Sequence, residues 1–310
     1  MNEYTAIIPA AGKGVRLLPY TAHCPKTMLN VAGKPIIAHI LQQVEACAIK
    51  RVVFVVGYQK EALMEYVRSH YPHLDVTFVE QPEPKGLGHA VYLAKNYVPG
   101  PCLIVLGDTI IDGDLRLLVQ SGQNAVGVKE VEDPRRFGVV ELRGGVIAGF
   151  EEKPECPKSH LALVGAYSFL SSAQLFGALE KVIASGKTVK NEIQLTDALS
   201  QMLAEGTPII PVPMKDWLDC GTPEILLQTN RLLLERQGQI PQKFLADNHI
   251  TPPCWIDETA QLSGCELGPY VSVAEGAYLE NCRLKNAIIS EKSHLKNKTA
   301  SDVIVDKYTS

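Results

Sequence analysis

Two glycines and two cations share one short loop near the start of the sequence. Residues 10–21 read AAGKGVRLLPYT, and within them Gly12, Lys13, Gly14 and Arg16 follow an apolar run at residues 4–9. Glycine lets backbone N–H groups come close to phosphate oxygens, and flanking Lys and Arg neutralise the charge those oxygens bring. The loop is not of the G-x-x-x-x-G-K-[ST] kind, so a phosphate reading needs company. A second fixed cation supplies it: Pro25-Lys26 precedes TMLNVAGKPII, just before the next helical pattern.

A sheet must hold these groups. Strand patterns at residues 4–9, 51–56, 76–79 and 102–106 alternate with helical patterns at 35–47, 61–70 and 88–97. In the first helix Ile36, Ile37, Ile40, Leu41 and Val44 recur at helical spacing, with Pro35 expected in the opening turn. Such alternation predicts a largely parallel sheet with helices on both faces. Its ligands gather at the carboxyl ends of the strands, where the loops after Pro9 and Leu106 fall. Further strands are expected at 125–131, 139–142, 146–151, 163–170 and 209–213, with Gly144-Gly145 as a hairpin turn, and helices at 172–185 and 194–205. Thr222 as N-cap and Pro223 at the first helical position open a long helix to about Gln237.

The ordered set G-x-G-x-R-L-x-P-x-T, then P-K, then G-K-P resembles the signature of the sugar-1-phosphate nucleotidylyltransferase, or nucleotide-sugar pyrophosphorylase, family. Further stations follow in the family's order: EQPEPKGLGHAV (80–91), LGDTI (106–110), FGVVE (137–141), EEKP (151–154), LVGAYSF (163–169), NEIQLTDAL (191–199) and WLDCGT (217–222). The resemblance spans about residues 4–237 and is strongest to glucose-1-phosphate thymidylyltransferases and uridylyltransferases. It implies an α/β fold, a Rossmann-like nucleotidyltransferase domain with a mostly parallel mixed sheet over residues 1–237. It also implies roles: Arg16 and Lys26 as catalytic cations; Ala11, Gly12, Lys13, Gly14, Gln81 and Gly86 at the nucleotide; Gly138, Glu152, Lys153, Val164, Gly165 and Tyr167 at the sugar phosphate; Asp108 and Asp219 at Mg²⁺. Two positions depart from the family pattern, Ala11 in place of a common glycine and Val15 in place of a hydroxyl residue.

The residue chemistry agrees. When a sugar-phosphate oxygen attacks an α-phosphorus, negative charge builds on the transferring group and on departing pyrophosphate, so cations and positioning matter more than a general base. The nucleophile is already an anion, which is why no Ser/His/Asp set is needed. Aspartates suit Mg²⁺, which takes one or two carboxylates alongside phosphates and water. The Gln81 amide can donate and accept at the edge of a uracil or thymine ring, and His89 nearby is expected to be structural. The expected reaction joins a pyrimidine nucleoside triphosphate, dTTP or UTP, to a sugar-1-phosphate, with glucose-1-phosphate as the expected sugar, giving an NDP-sugar and pyrophosphate. Two alternatives stand beside it: guanylyl transfer to mannose-1-phosphate, and a non-catalytic regulatory subunit of the same fold. The second should have lost its cations or carboxylates, and this sequence keeps Arg16, Lys26, Asp108 and Asp219.

From Pro252 the pattern changes. Ile256, Leu262, Leu267, Val273, Leu279, Leu284, Ile289 and Leu295 recur every five or six residues, too far apart for an alternating strand and wrong for a helix. The spacing suits a short left-handed β-helix of hexapeptide repeats over residues 252–310, with residues 238–251 as a linker. The tail's expected job is assembly into a homo-oligomer rather than chemistry. Composition sets outer bounds. Over 310 residues, 46% hydrophobic and 21% charged with a net charge of −4, nothing favours nucleic acid or an anionic membrane as partner. No basic leader or spanning apolar run is present, so a cytoplasmic protein is expected. The eight cysteines form no C-x-x-C pair and the eight histidines no metal-ligand spacing, so reduced thiols and no zinc site are expected.

Overall fold

The β-branched runs assemble into a nine-stranded mixed sheet in the computed structural model, which describes residues 3–189 and 191–307. Residues 1, 2, 190 and 308–310, which include the two outer ends of the expected domains, lie outside the described residues. The chain divides into two compact units. One runs as far as Lys13 and from Ile40 to Trp217; the other takes Gly14–His39 and everything from Leu218 on.

In the first unit the sheet runs, edge to edge, Val146–Glu152, Gly138–Arg143, Leu161–Phe169, Cys102–Val105, Thr5–Ala10, Arg51–Val56 and Asp75–Glu80. The last four are parallel neighbours. Leu161–Phe169 runs against them and also pairs with Asn124–Glu130, to which Ile209–Pro213 adds in parallel. The run Val52–Val56 has no polar alternation because both faces of a central parallel strand are covered, and all five residues are 2% exposed or less. The helices Ser172–Ser185 and Leu195–Ala204 bury their apolar stripes in the same core, with Leu175, Leu179, Leu195 and Leu199 at 0–1% exposure. Gly144 and Gly145, both at positive φ (59° and 81°), close the expected hairpin, as a two-residue turn of this hand requires.

The sequence reading is corrected in three places here. Pro35 does not open a helix: it ends the short hairpin Asn30–Val31 with Lys34–Pro35, and the helix starts at Ile36. The helix expected over 88–97 is Leu87–Leu93 followed by a separate 3-10 turn, Lys95–Tyr97. Thr109–Asp112 is a strand that four residues were too few to announce.

The second unit holds the helix Pro223–Gln237, capped by the Thr222 hydroxyl, which accepts from the Ile225 N–H. Its larger part is a parallel β-helix consistent with the left-handed hexapeptide-repeat kind. Cys254, Val271, Ala287 and Val303 stand on successive rungs of one face, His249, Glu266, Arg283 and Thr299 on the next, and Gln261, Tyr278 and His294 on the third. Of the recurring apolar residues, all but the half-buried Leu262 are buried and form its core. Successive rungs fall one or two residues short of three full hexads, and left-handed backbone stands beside them at Tyr270, Asn286 and Asp302. The stretch expected as a linker carries the first rung, His249–Ile250, and a 3-10 turn whose Phe244 is buried in the β-helix core.

The helix Pro223–Gln237 and the β-helix together also hold residues 32–33. The buried Asn230 amide accepts from the Ala32 N–H (2.8 Å) and donates to the Tyr270 carbonyl (3.3 Å). Gly33 lies so close to the Trp255 ring that a Cβ there would fall 1.8 Å from it. Among the described residues no helix is long and apolar enough to cross a membrane, and all eight cysteines are free thiols.

Candidate active site

In the first unit residues 11–13, Gln81 and Asp108 follow the carboxyl ends of parallel strands, while Gly138, Glu152, Val164, Gly165 and Tyr167 lie on the antiparallel strands of the same sheet. The Gly107 N–H donates to the Pro9 carbonyl (3.1 Å) and the Leu106 N–H to the Gly165 carbonyl (3.0 Å), which fixes the turn that carries Asp108. The Thr109 hydroxyl donates to the Asp108 carboxylate (3.1 Å). Gly165 takes φ +85°, a conformation that strains any side chain, and a Cβ there would also fall 2.9 Å from the Leu106 side chain. Gly12 faces open space, with nothing within 4 Å of where a Cβ would sit, and Lys13 is exposed, so this end of the loop keeps its backbone accessible. Ala11, the departure from the family pattern, packs where Gly57 leaves room: a Cβ at Gly57 would meet the Ala11 Cβ at 3.0 Å.

Gln81 follows the edge strand Asp75–Glu80 and is buried, its backbone N–H donating to the Val56 carbonyl (2.8 Å). Its amide nitrogen donates to the Gly86 carbonyl (3.3 Å) and lies 3.0 Å from His89 Nδ1. Gly86 (φ +97°) presses on residues 192–193, where a Cβ would fall 2.6 Å from the Ile193 carbonyl oxygen. Burial pulls the His89 imidazole below its usual pKa, the Lys85 charge acting with it and Glu83 against it.

Toward the sugar-side residues, Gly138 is walled by Thr196, Leu163 and Glu152, all within 3.1 Å of where a Cβ would sit. The Glu152 carboxylate accepts from the Thr196 hydroxyl (3.1 Å) and pairs with Lys153 (3.2 Å). Lys153 itself takes a left-handed backbone, φ 45°. Val164 fills the space beside Gly127, whose Cβ would fall 2.7 Å from it. Tyr167, 4% exposed, belongs to the hydrophobic core, where burial and then the Glu152 charge raise its hydroxyl pKa. Sequence reasoning assigned no role to Thr196 or to the His89 contact. NEIQLTDAL contained the first, but only packing shows which of its polar residues faces Glu152.

The second unit gathers the cations. Gly14, in the left-handed conformation at φ 62°, starts the 3-10 turn Val15–Leu17, and its carbonyl accepts from the Thr21 hydroxyl (2.9 Å). Leu17 is fully buried and anchors that turn, which leaves Arg16 and Val15 exposed. Lys26 begins a second 3-10 turn and is buried, with its ammonium 3.8 Å from the Asp219 carboxylate. A charged amine is tolerated there because a carboxylate partners it. A Cβ on Gly221 would lie 3.1 Å from Arg16 Nη2 and 3.1 Å from Asp219 Oδ1, so Gly221 gives both charged groups their space. Arg16, Lys26 and Asp219 are thus brought together within this unit. Among the described residues no three His, Cys, Asp or Glu side chains cluster as a metal-binding group. Partly exposed, hard-oxygen carboxylates such as Asp108 and Asp219 nonetheless fit Mg²⁺, which draws its remaining ligands from phosphates and water.

Comparison with known proteins adds to this geometry. The sequence profile of the family described as "Nucleotidyl transferase" matches residues 5–236. The chain is 38% identical over 252 residues to a protein named "Bifunctional protein GlmU" from Methanocaldococcus jannaschii, covering 79% of this chain and 59% of that protein. It therefore spans about three-fifths of the length of that relative. It is 30% identical over 307 residues to a glucose-1-phosphate thymidylyltransferase from Streptomyces antibioticus, covering 90% of this chain and 83% of the relative. Among solved structures, UDP-glucose pyrophosphorylase complexed with UDP-glucose superposes with a TM-score of 0.67 at 26% identity, covering 76% of this chain and 100% of the other.

Proposed function

Because the chain belongs to the nucleotidyl transferase family, among the sugar-1-phosphate nucleotidylyltransferases, we propose that it transfers a nucleotidyl group from dTTP or UTP to a sugar-1-phosphate, with glucose-1-phosphate as the sugar, releasing pyrophosphate. The observation that carries this reading is the cluster of Arg16, Lys26 and Asp219, with Arg16 and Asp219 beside Gly221 and Lys26 paired with Asp219. Charge on a phosphoryl group in transfer is what such a cluster stabilises. The thymidylyltransferase and UDP-glucose names of relatives support the pyrimidine and glucose parts of the proposal.

In this reading the exposed Arg16 reaches the phosphates of the incoming triphosphate, and Lys26 holds the transferring group while Asp219 keeps the lysine oriented. Open backbone at Gly12 and the Lys13 side chain receive phosphate oxygens. Gln81 and Gly86 take the base; Gly138, Glu152, Lys153, Val164 and Gly165 take the sugar phosphate, with Tyr167 packed behind them. Asp108 and Asp219 are the candidate carboxylates for Mg²⁺, which supplies charge neutralisation at the phosphates when bound. Residues 1–237 carry the chemistry and the β-helix tail supports it. The tail is also the proposed homo-oligomer surface, since its last rung, Thr299–Val305, pairs among the described residues with Arg283–Ile289 alone. Light scattering checks that point.

Pyrophosphate release measured for UTP, dTTP, CTP, ATP and GTP against glucose-1-phosphate and mannose-1-phosphate tests the substrate assignment. Turnover highest with UTP or dTTP and glucose-1-phosphate is expected, and a Mg²⁺ titration of Asp108→Asn and Asp219→Asn should show a raised metal requirement. Preference for GTP with mannose-1-phosphate would overturn it.

A further inference from the structure

We propose that His89 is a positioning residue that locks the Gln81 amide with its oxygen outward, so that the site accepts a hydrogen bond from a ring N–H and turns away a base with a ring lone pair at that place. The proposal rests on Gln81 being the residue that meets the base. Two contacts fix the amide's sense. The first is the Gly86 carbonyl, 3.3 Å from the Gln81 amide nitrogen. A carbonyl oxygen only accepts, so the end of the amide facing it must be the NH₂. The second is His89 Nδ1, 3.0 Å from the same nitrogen. With one N–H given to Gly86, the other goes to Nδ1, which must then be an unprotonated acceptor carrying its ring proton on Nε2. Burial of the imidazole favours that neutral form.

Both amide hydrogens are therefore committed inside the protein, and what Gln81 has left to offer is Oε1, an acceptor. Uracil and thymine carry N3–H, a donor; cytosine carries a bare N3 lone pair at the same ring position. An amide free to turn over would serve either base. An amide held at two points serves only the donor, because turning it would set its oxygen against the Gly86 carbonyl and leave Nδ1 without a hydrogen. His89 is held in turn by its helix: the Gly88 N–H donates to the Ile193 carbonyl (2.8 Å), and Gly88 and Ala90 on either side of it are buried. Of the two contacts His89 makes the shorter, so its removal leaves the amide held by the longer Gly86 contact alone and weakens the lock.

Titration calorimetry of the full chain with UTP and with CTP, in the presence of Mg²⁺, tests this on the wild type, His89→Ala, His89→Asn and Gln81→Ala. Wild type should prefer UTP. His89→Ala should lower the UTP-to-CTP affinity ratio by about tenfold, the scale of one misplaced buried hydrogen bond. His89→Asn should restore the ratio, since its side-chain oxygen can stand where Nδ1 stands and accept. A wild-type ratio in His89→Ala alongside a collapsed ratio in Gln81→Ala overturns the lock while leaving Gln81 as base reader. A wild-type ratio in Gln81→Ala as well, or no preference for UTP at the outset, overturns the base-reading assignment and the lock with it. A His89→Asn variant that folds yet behaves like His89→Ala shows that the acceptor is not what matters and sinks the proposal.

Discussion

The two units build their candidate residues by opposite means. In the first, the residues proposed for the base and the sugar sit on or beside strands of one sheet, and close contacts at glycines shape the walls. Gly86, Gly138 and Gly165 each have a neighbour within 3.0 Å of where a Cβ would be. In the second, the cations sit on two 3-10 turns, Val15–Leu17 and Lys26–Met28, that have no sheet of their own. Their support comes from chain about two hundred residues away in sequence, through Asn230 and Trp255. A pocket cut from a sheet inherits the sheet's rigidity. A charged loop has to borrow its rigidity, and here the lenders are the helix Pro223–Gln237 and the β-helix.

The largest effect that would test this contrast is at the cations themselves. Lys26→Ala and Arg16→Ala should each lower turnover by about two to four orders of magnitude while leaving the preference among bases intact. Lys26 is buried against Asp219, so its variant also costs stability, whereas exposed Arg16 can be removed without that cost. Steady-state kinetics with parallel unfolding curves separate the two, and wild-type turnover in either variant would break the assignment. Next comes the brace. Gly33→Ala places a methyl on the Trp255 ring and strains a backbone at φ +87°, so a loss of about 2–4 kcal/mol in chemical denaturation is expected. Turnover should fall with it and base preference should not. A shift in base preference would mean that the two regions are less separate than their construction suggests.

A more gradual effect, of comparable size, is set by acid. His39, in the second unit, donates from Nε2 to the Val31 carbonyl (3.0 Å), and burial holds its imidazole down at about 4, the Val31 bond opposing and the Lys34 charge assisting. Its folded value lies below its unfolded one, so the unfolded chain takes up a proton first as pH falls. Stability is therefore full above about pH 6.5 and drains away toward pH 4, by about 3 kcal/mol in all. Denaturant midpoints measured from pH 7 to pH 4 should show this slope, and His39→Gln should flatten it. An unchanged slope in the variant would place the acid sensitivity elsewhere.

Much of the fold was legible because the sequence signals it locally. Thr222-Pro223 marked a helix start, Gly144-Gly145 a hairpin, and the apolar run at 51–56 a strand. The β-helix was readable from its spacing, although its first rung was not, since His249–Ile250 lacks the apolar repeat and reads as linker. Candidate residues were legible by order of motif. Their support was not: nothing in residues 30–35 announces that Gly33 meets Trp255, or that Ala32 meets Asn230, because such contacts belong to the folded chain and leave no local pattern. The same holds for Lys26, whose burial and pairing with Asp219 leave no mark in the neighbouring sequence.

The stretch Glu192–Thr196 has two faces in use at once. Its backbone at Ile193 receives the Gly88 N–H and blocks any side chain at Gly86, while three residues on the Thr196 hydroxyl steadies Glu152. One short segment is thus a party wall between the groups assigned to the base and a group assigned to the sugar. Substitutions along it will not sort into nucleotide variants and sugar variants; their kinetic effects on the two substrates should be non-additive with those of residues on either side. On the proposed assignments, altering this segment to suit a new sugar is expected to alter the hold on the nucleotide too.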